Sequence, residues 1–192
     1  MAADNAGSQP RPLEAAALIA LAQPARFQLW ESLDEHGPAT TTQLAAQIDA
    51  SPEAVGSHLR ELERHGLIER WEQKWRRRSG AFSFQPHLFE NDPRTAEAAR
   101  FLENELIRMH SSRLHKWLAV SRTMPLEWRE ASYDGSVSLR LTRDELAELG
   151  SRMVDVIMDY RRRHDHEGGS GGERLATVEV FFHAFPIGLD PE

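Results

Sequence analysis

The chain has 192 residues, a formal net charge of −7, no cysteine, and 40% hydrophobic residues. That apolar content supports a packed core, and the missing thiols exclude disulfides and thiolate metal or redox chemistry. The acidic balance weighs against a nucleic-acid partner, and halving the chain does not change that. Residues 1–86 carry 9 Lys/Arg against 11 Asp/Glu, and residues 87–192 carry 14 against 19, so any such case needs a local patch.

The first ten residues lack the basic start and apolar run of a signal peptide and read as a frayed tail. No window approaches the ~18 uninterrupted apolar residues of a membrane span. A cytoplasmic protein without membrane contact is expected.

Leu13–Leu21 is an Ala/Leu-rich helix, and Pro24 opens a second with Phe27, Trp30 and Leu33 at helical spacing. His36-Gly37-Pro38 stops it. Thr40-Thr-Thr-Gln43 is a capping box, and Leu44, Ala45 and Ile48 give the short helix after it an apolar face. Asp49-Ala50 is a tight turn, Ser51 a cap, and Pro52 a first helical residue. The helix that follows, to His65-Gly66, buries Val55, Leu59 and Leu62. Leu67–Trp71 reads as a strand, Lys74-Trp-Arg-Arg-Arg-Ser-Gly80 as a basic loop, and Ala81–Phe84 as the returning strand. Helix, tight turn, helix and basic hairpin are the order of a winged helix-turn-helix.

From Thr95 to Val120 a long helix carries a wide apolar surface including Leu102, Leu106 and Met109. We assign these three residues to a homodimer interface. Met124–Trp128 is a connector, Asp134-Gly135 a hairpin turn, and Val137–Leu141 an alternating strand. Thr142-Arg-Asp-Glu145 is a second capping box, opening a helix with Leu146, Leu149, Met153, Ile157 and Tyr160 inward. A Gly-rich loop, Glu167–Glu173, leads to a strand at Ala176–Ala184.

The stretch Leu21-Ala-Gln-Pro-Ala-Arg26, Gln43-Leu-Ala-Ala46 and Ser51-Pro-Glu-Ala-Val-Gly-Ser-His-Leu-Arg-Glu-Leu-Glu-Arg-His-Gly-Leu-Ile68 resembles the ArsR-type winged-helix regulators. The resemblance implies a dimeric bacterial transcription factor, often a repressor released by a ligand. Trp128, Leu139–Leu146 and Val180–Pro186 resemble the appended C-terminal region of some actinobacterial members, to which no chemistry attaches.

The expected fold is α+β. It comprises a tail at 1–10, a winged helix-turn-helix at 11–90, a connecting and dimerisation helix at 91–123, and a small strand–helix–strand unit at 124–192. The candidate DNA-binding residues are Thr40, Thr42 and Gln43 at the first helix of the motif. On the helix from Pro52 they are Glu53, Ala54, Gly56, Ser57, Arg60 and Arg64, left outward by the buried face. Ser57 suits phosphate or base edges, Arg60 guanine or phosphate, and Glu53 cytosine N4. Related regulators usually carry serine where this chain has Gly56, so one hydroxyl contact is lost. Lys74, Arg76, Arg77 and Arg78 complete the set as phosphate or minor-groove contacts at the wing tip.

Other features take plainer readings. His110 and His115 are five apart and diverge around a helix, whereas a shared ligand face needs spacings of about three or four. His164 and His166 lie at a helix end beside glycines. No metal or cofactor is therefore expected, though these four histidines are the candidates if one binds. His58 packs or caps locally, and Arg161-Arg-Arg163 complements the negative end of its helix. Trp117 and Trp128 read as core before pocket. No nucleophile elbow, phosphate loop or zinc-protease motif is present, so the chain is not expected to be an enzyme. The expected partners are duplex DNA, a second copy, and an organic effector in the C-terminal unit beside Trp128. The alternative is a winged-helix protein-interaction module facing its partner with Glu53, Glu61 and Glu63.

Overall fold

The computed structural model describes residues 11–78, 82–165 and 176–188. The N-terminal tail, Ser79–Ala81, His166 and the Gly-rich loop lie outside the described residues, as does the side chain of His164. The chain divides into two compact units, one running through Ser112 and the other beginning at Arg113.

In the first unit, β1 (Arg11–Pro12) leads into α1 (Ala15–Leu21) and α2 (Pro24–His36). α2 starts where it should. Pro24 stands at its first position, and the Gln23 side chain accepts from the Arg26 N–H at 2.9 Å. It ends at Gly37, whose φ of 80° a side chain would strain. α3 (Thr41–Gln47) is opened by the reciprocal capping box. The Gln43 N–H donates to Thr40 Oγ1 at 3.2 Å, and the Thr40 N–H donates to Gln43 Oε1 at 2.9 Å. The turn to α4 (Pro52–Arg64) passes through Asp49 at φ 52°, a left-handed site that a short polar side chain tolerates. Ser51 Oγ then accepts from the Ala54 N–H at 3.2 Å.

Val55, Leu59 and Leu62 of α4 are wholly buried. They pack with Leu18, Leu21, Phe27, Leu29, Trp30 and Leu44 into one core. At about 1.5–3 kcal/mol of hydrophobic transfer for each large side chain, this cluster is the main source of the unit's stability. β2 (Ile68–Trp71) and β3 (Lys74–Arg77) form an antiparallel hairpin with Ile68 opposite Arg77 and Trp71 opposite Lys74. Ala39 exchanges two backbone hydrogen bonds with Trp75, at 2.8 and 3.0 Å, so the loop before α3 adds a third rung.

The hairpin differs from the expected one. β3 is the returning strand, and β4 (Phe82–Ser83) pairs in parallel with β1 instead. The wing therefore turns at Glu72-Gln73, with Glu72 at φ 55°, and Lys74–Arg77 is strand, not loop. That turn lacks the Asn or Gly that usually marks a tight hairpin, so the basic run was the more visible signal.

α5 (Pro93–Val120) follows a 3-10 turn at Pro86–Phe89. The hydroxyl of the buried Thr95 donates to the Phe89 carbonyl at 2.8 Å. Phe101 meets Phe27 edge-on at 6.4 Å, and Leu102 is fully buried. The opening of α5 thus belongs to the winged-helix core.

The C-terminal unit holds α6 (Leu126–Ala131), where a connector was expected, and α7 (Arg143–Asp165). The second capping box forms as read. The Glu145 N–H donates to Thr142 Oγ1 at 3.2 Å, and Glu145 Oε2 accepts the Thr142 N–H at 2.7 Å. These hydrogen bonds hold the Glu145 carboxyl below its ordinary pKa, the backbone bond contributing most. Along α7, Leu146, Leu149 and Ile157 are half-buried. Met158 is buried, while the expected inward residues Met153 and Tyr160 are exposed. The two flanking strands are a correction: neither 137–141 nor 176–184 is assigned as strand. Alternating side chains favour extended backbone, but a strand also needs a hydrogen-bonded neighbour.

Candidate nucleic-acid interface

A helix that buries one face presents the other to whatever approaches. On α4 the buried triad leaves Glu53, Ala54, Ser57, Arg60 and Arg64 exposed and Gly56 half-buried. The Arg60 guanidinium lies over Gly56, where an added Cβ would meet it at 3.5 Å, an ordinary contact. Among the described residues Arg60 has no ion pair, whereas Arg64 is held by Glu61 at 2.6 Å. Thr42 and Gln43 are exposed and Thr40 is half-buried on the approach to α3. The Thr40 and Gln43 side chains are already engaged in the cap, so a ligand must share them.

His58 faces the inner side of α4. Burial first, and then the Arg26 guanidinium, hold its pKa below the ordinary histidine value, so it is a neutral imidazole near neutrality. Arg26 itself donates to the carbonyls of Ile19, at 3.4 Å, and Ala20. It ties the end of α1 to α2 and is not available outside.

The four basic wing residues separate by strand alternation. Trp75 points inward, 1% exposed, and donates its indole N–H to Thr41 Oγ1 at 3.0 Å. Arg77 shares that side, ion-paired to Asp34 and stacked 4.0 Å over the Trp30 ring. It is a strut between the wing and α2, which corrects its place at the wing tip. Arg76 pairs with Glu69 across the hairpin at 2.7 Å and sits near the exposed Trp71 ring. Lys74 is half-exposed and Arg78 exposed, and neither has an ion pair among the described residues. The tip itself is Glu72-Gln73, so the expected basic tip is not formed.

Three residues escaped the sequence reading. Arg70, exposed on β2, lies 3.7 Å over the Trp75 ring and adds a further cation to the hairpin. Thr41 and Asp34 anchor Trp75 and Arg77. Strand pairing would have signalled Arg70, since it sets that residue opposite Trp75.

The residues assigned to a dimer interface also need correction. Leu102 and Met109 are 0% and 4% exposed within the chain's own core, and Leu106 packs against it. A side chain consumed by its own core cannot drive association. The exposed large hydrophobic residues of α5 are Ile107, Leu114, Leu118 and Val120 instead.

Other sequence features fall into structural roles. Arg162 and Arg163 pair with Asp159 one turn back, and Arg163 also covers Tyr160. Trp117 and Trp128 are half-buried. Among the described residues no group of three or more His, Asp or Glu is placed to hold a metal ion. No described helix is long and apolar enough to cross a membrane. Of the residues expected to enclose an effector, Val137, Leu139, Val178 and Val180 are all exposed.

With this geometry in place, comparison with known families matches residues 21–70 to a helix-turn-helix domain. That span runs from the end of α1 through α4 into β2. No curated protein and no solved structure matches the chain. The match and the fold together make this an α+β chain with an N-terminal winged helix-turn-helix of the kind found in DNA-binding regulators.

Proposed function

We propose that the protein is a sequence-specific, double-stranded DNA-binding transcriptional regulator of the ArsR type, acting in the cytoplasm as a dimeric repressor. The observation that carries the reading is α4. Its apolar face is locked in the core, and its open face offers Ser57 and Arg60, the latter with no ion pair among the described residues. α4 enters the major groove with Ser57 and Arg60 toward base edges and phosphates. Lys74, Arg78 and Arg70 supply backbone attraction from the wing. Two copies on a two-fold axis would address half-sites about one DNA turn apart. An organic effector would act by binding one dimer arrangement better than another.

A second reading is favoured by one observation: Arg64, Arg76 and Arg77 are each neutralised by a carboxylate of the same chain. On that reading the winged helix is a protein-binding surface. Titration of the purified protein onto random and selected duplexes at several salt concentrations separates the two. DNA binding requires affinity that falls with salt, and Arg60→Ala should cost about 1–3 kcal/mol on the selected site. Salt-independent or undetectable binding to every duplex leaves the protein-interaction reading standing.

A further inference from the structure

Among the described residues, every exposed large hydrophobic residue except Trp71, Leu88 and Ile107 lies in the C-terminal unit. Of that unit's described hydrophobic side chains Met158 alone is buried. The described part of the unit has the apolar residues for a core but leaves most of them exposed. Residues left at roughly half exposure, at about 150–250 Å² for each aromatic, leave on the order of 1,000 Å² of apolar surface open. A standard stable interface takes about 800 Å² from each partner, so the open area is what a protein partner would cover.

The segment 176–184 shows how. Its even-numbered residues, Ala176, Val178, Val180, Phe182 and Ala184, are all apolar, and its odd-numbered residues include Thr177, Glu179 and His183. Within its own unit the Arg113 guanidinium donates to Glu179 at 2.5 Å and Phe181 is half-buried, while the other residues of the segment are exposed, Val178 at 68% and Val180 at 56%. The segment is tied down at these two residues and belongs to no sheet among the described residues.

We propose that a second copy of this chain completes the C-terminal unit, the 176–184 segments of the two copies pairing antiparallel about a two-fold axis near Val180. The sequence is self-complementary in that register. Val178 falls opposite Phe182, Thr177 opposite His183 and Glu179 opposite Phe181, so the apolar side stays continuous and no like charges oppose. A shift of one residue would mix the two sides. The exposed stripe of α7, Met153, Val156 and Tyr160, supplies the layer that covers the new sheet. A two-fold contact of this kind satisfies both copies at once and closes, whereas an unrelated partner would have to match this alternation independently. The inference extends the dimer of the proposed function and relocates its interface, but its test uses no DNA.

Sedimentation of the full-length wild-type chain should show a dimer at micromolar concentration, and Val180→Glu should shift it at least tenfold toward monomer. The Trp30 and Trp75 fluorescence of the winged-helix unit should not change. Amide hydrogen exchange on the wild-type chain reads the same contact without substitution: N–H groups in 177–183 should gain at least tenfold protection as concentration rises through the dimer range. Leu118→Glu, on the exposed face of α5, should leave that protection in place. A wild-type monomer at 100-fold higher concentration, or a dimer whose 177–183 amides stay unprotected, overturns the proposal. The first outcome would give the surface to a different protein, the second would return the interface to α5.

Discussion

Arg77 illustrates how one residue's chemistry depends on which side of a strand it takes. Its guanidinium is confined between Asp34 and the face of Trp30, with only 26% of its side chain exposed against 21% for Asp34. Removing it strands a carboxylate in a partly desolvated site and uncovers an indole ring. Arg77→Ala should therefore lower stability by about 1–2 kcal/mol, more than an exposed ion pair and less than a fully buried one. Lys74→Ala, three residues earlier and without an ion pair among the described residues, should stay within about 0.5 kcal/mol of wild type. Urea unfolding followed by tryptophan fluorescence compares the two; equal costs, or a larger one at Lys74, would refute the strut. The run Lys74–Arg78 was legible in the sequence as basic, but its division into inward and outward residues was not. That division follows from a hairpin turn at Glu72, a left-handed position filled by a residue without turn chemistry.

At the scale of elements, the helix-turn-helix was the most readable part of the chain, because its signals are local and concordant. Thr40 with Gln43, Ser51 with Pro52, and the spacing of Val55, Leu59 and Leu62 each mark a boundary or a face that formed as expected. Gly56 is the discordant residue: it sits inside α4 with no positive φ to justify it. An added Cβ would touch Arg60 at 3.5 Å and Thr41 at 4.0 Å, both ordinary contacts. Gly56→Ala should accordingly stabilise the fold by about 0.5–1 kcal/mol through helix propensity, and Gly56→Ser by somewhat less. Thermal melts of the three proteins decide it. A destabilised alanine variant would mean that Arg60 cannot yield, and that the glycine is there to seat that guanidinium. The reading of α5 failed for the opposite reason. Its apolar residues were visible, but periodicity does not say whether a helix face meets its own chain or another, and Leu102 and Met109 meet their own.

For the whole molecule, sequence and structure part company in the C-terminal unit. Alternation at Val137–Leu141 and Ala176–Ala184 was real, yet strand status depends on a hydrogen-bonded neighbour, and neither segment has one among the described residues. If two copies associate as proposed, the charge has to be counted for both. With a net charge of −7 per chain, two copies bring about twice that repulsion to DNA. Binding must then rest on cations presented in duplicate, close to phosphates, within a screening distance of roughly 8 Å at physiological salt. Each phosphate neutralised on B-DNA contributes about 0.9 to the slope of log affinity against log salt. If one chain binds, Lys74→Ala removes one contact and should flatten that slope by about one. If the dimer binds both half-sites, the same substitution removes two and should flatten it by about two. Arg76→Ala should change it less, since Glu69 already neutralises that guanidinium. Titrations of selected duplexes carrying one half-site or two, at four or more salt concentrations, measure both quantities on the same protein. A Lys74→Ala slope equal to that of wild type on either duplex would remove Lys74 from the interface and leave Arg78 and Arg70 as the wing's only contacts to test in the same way.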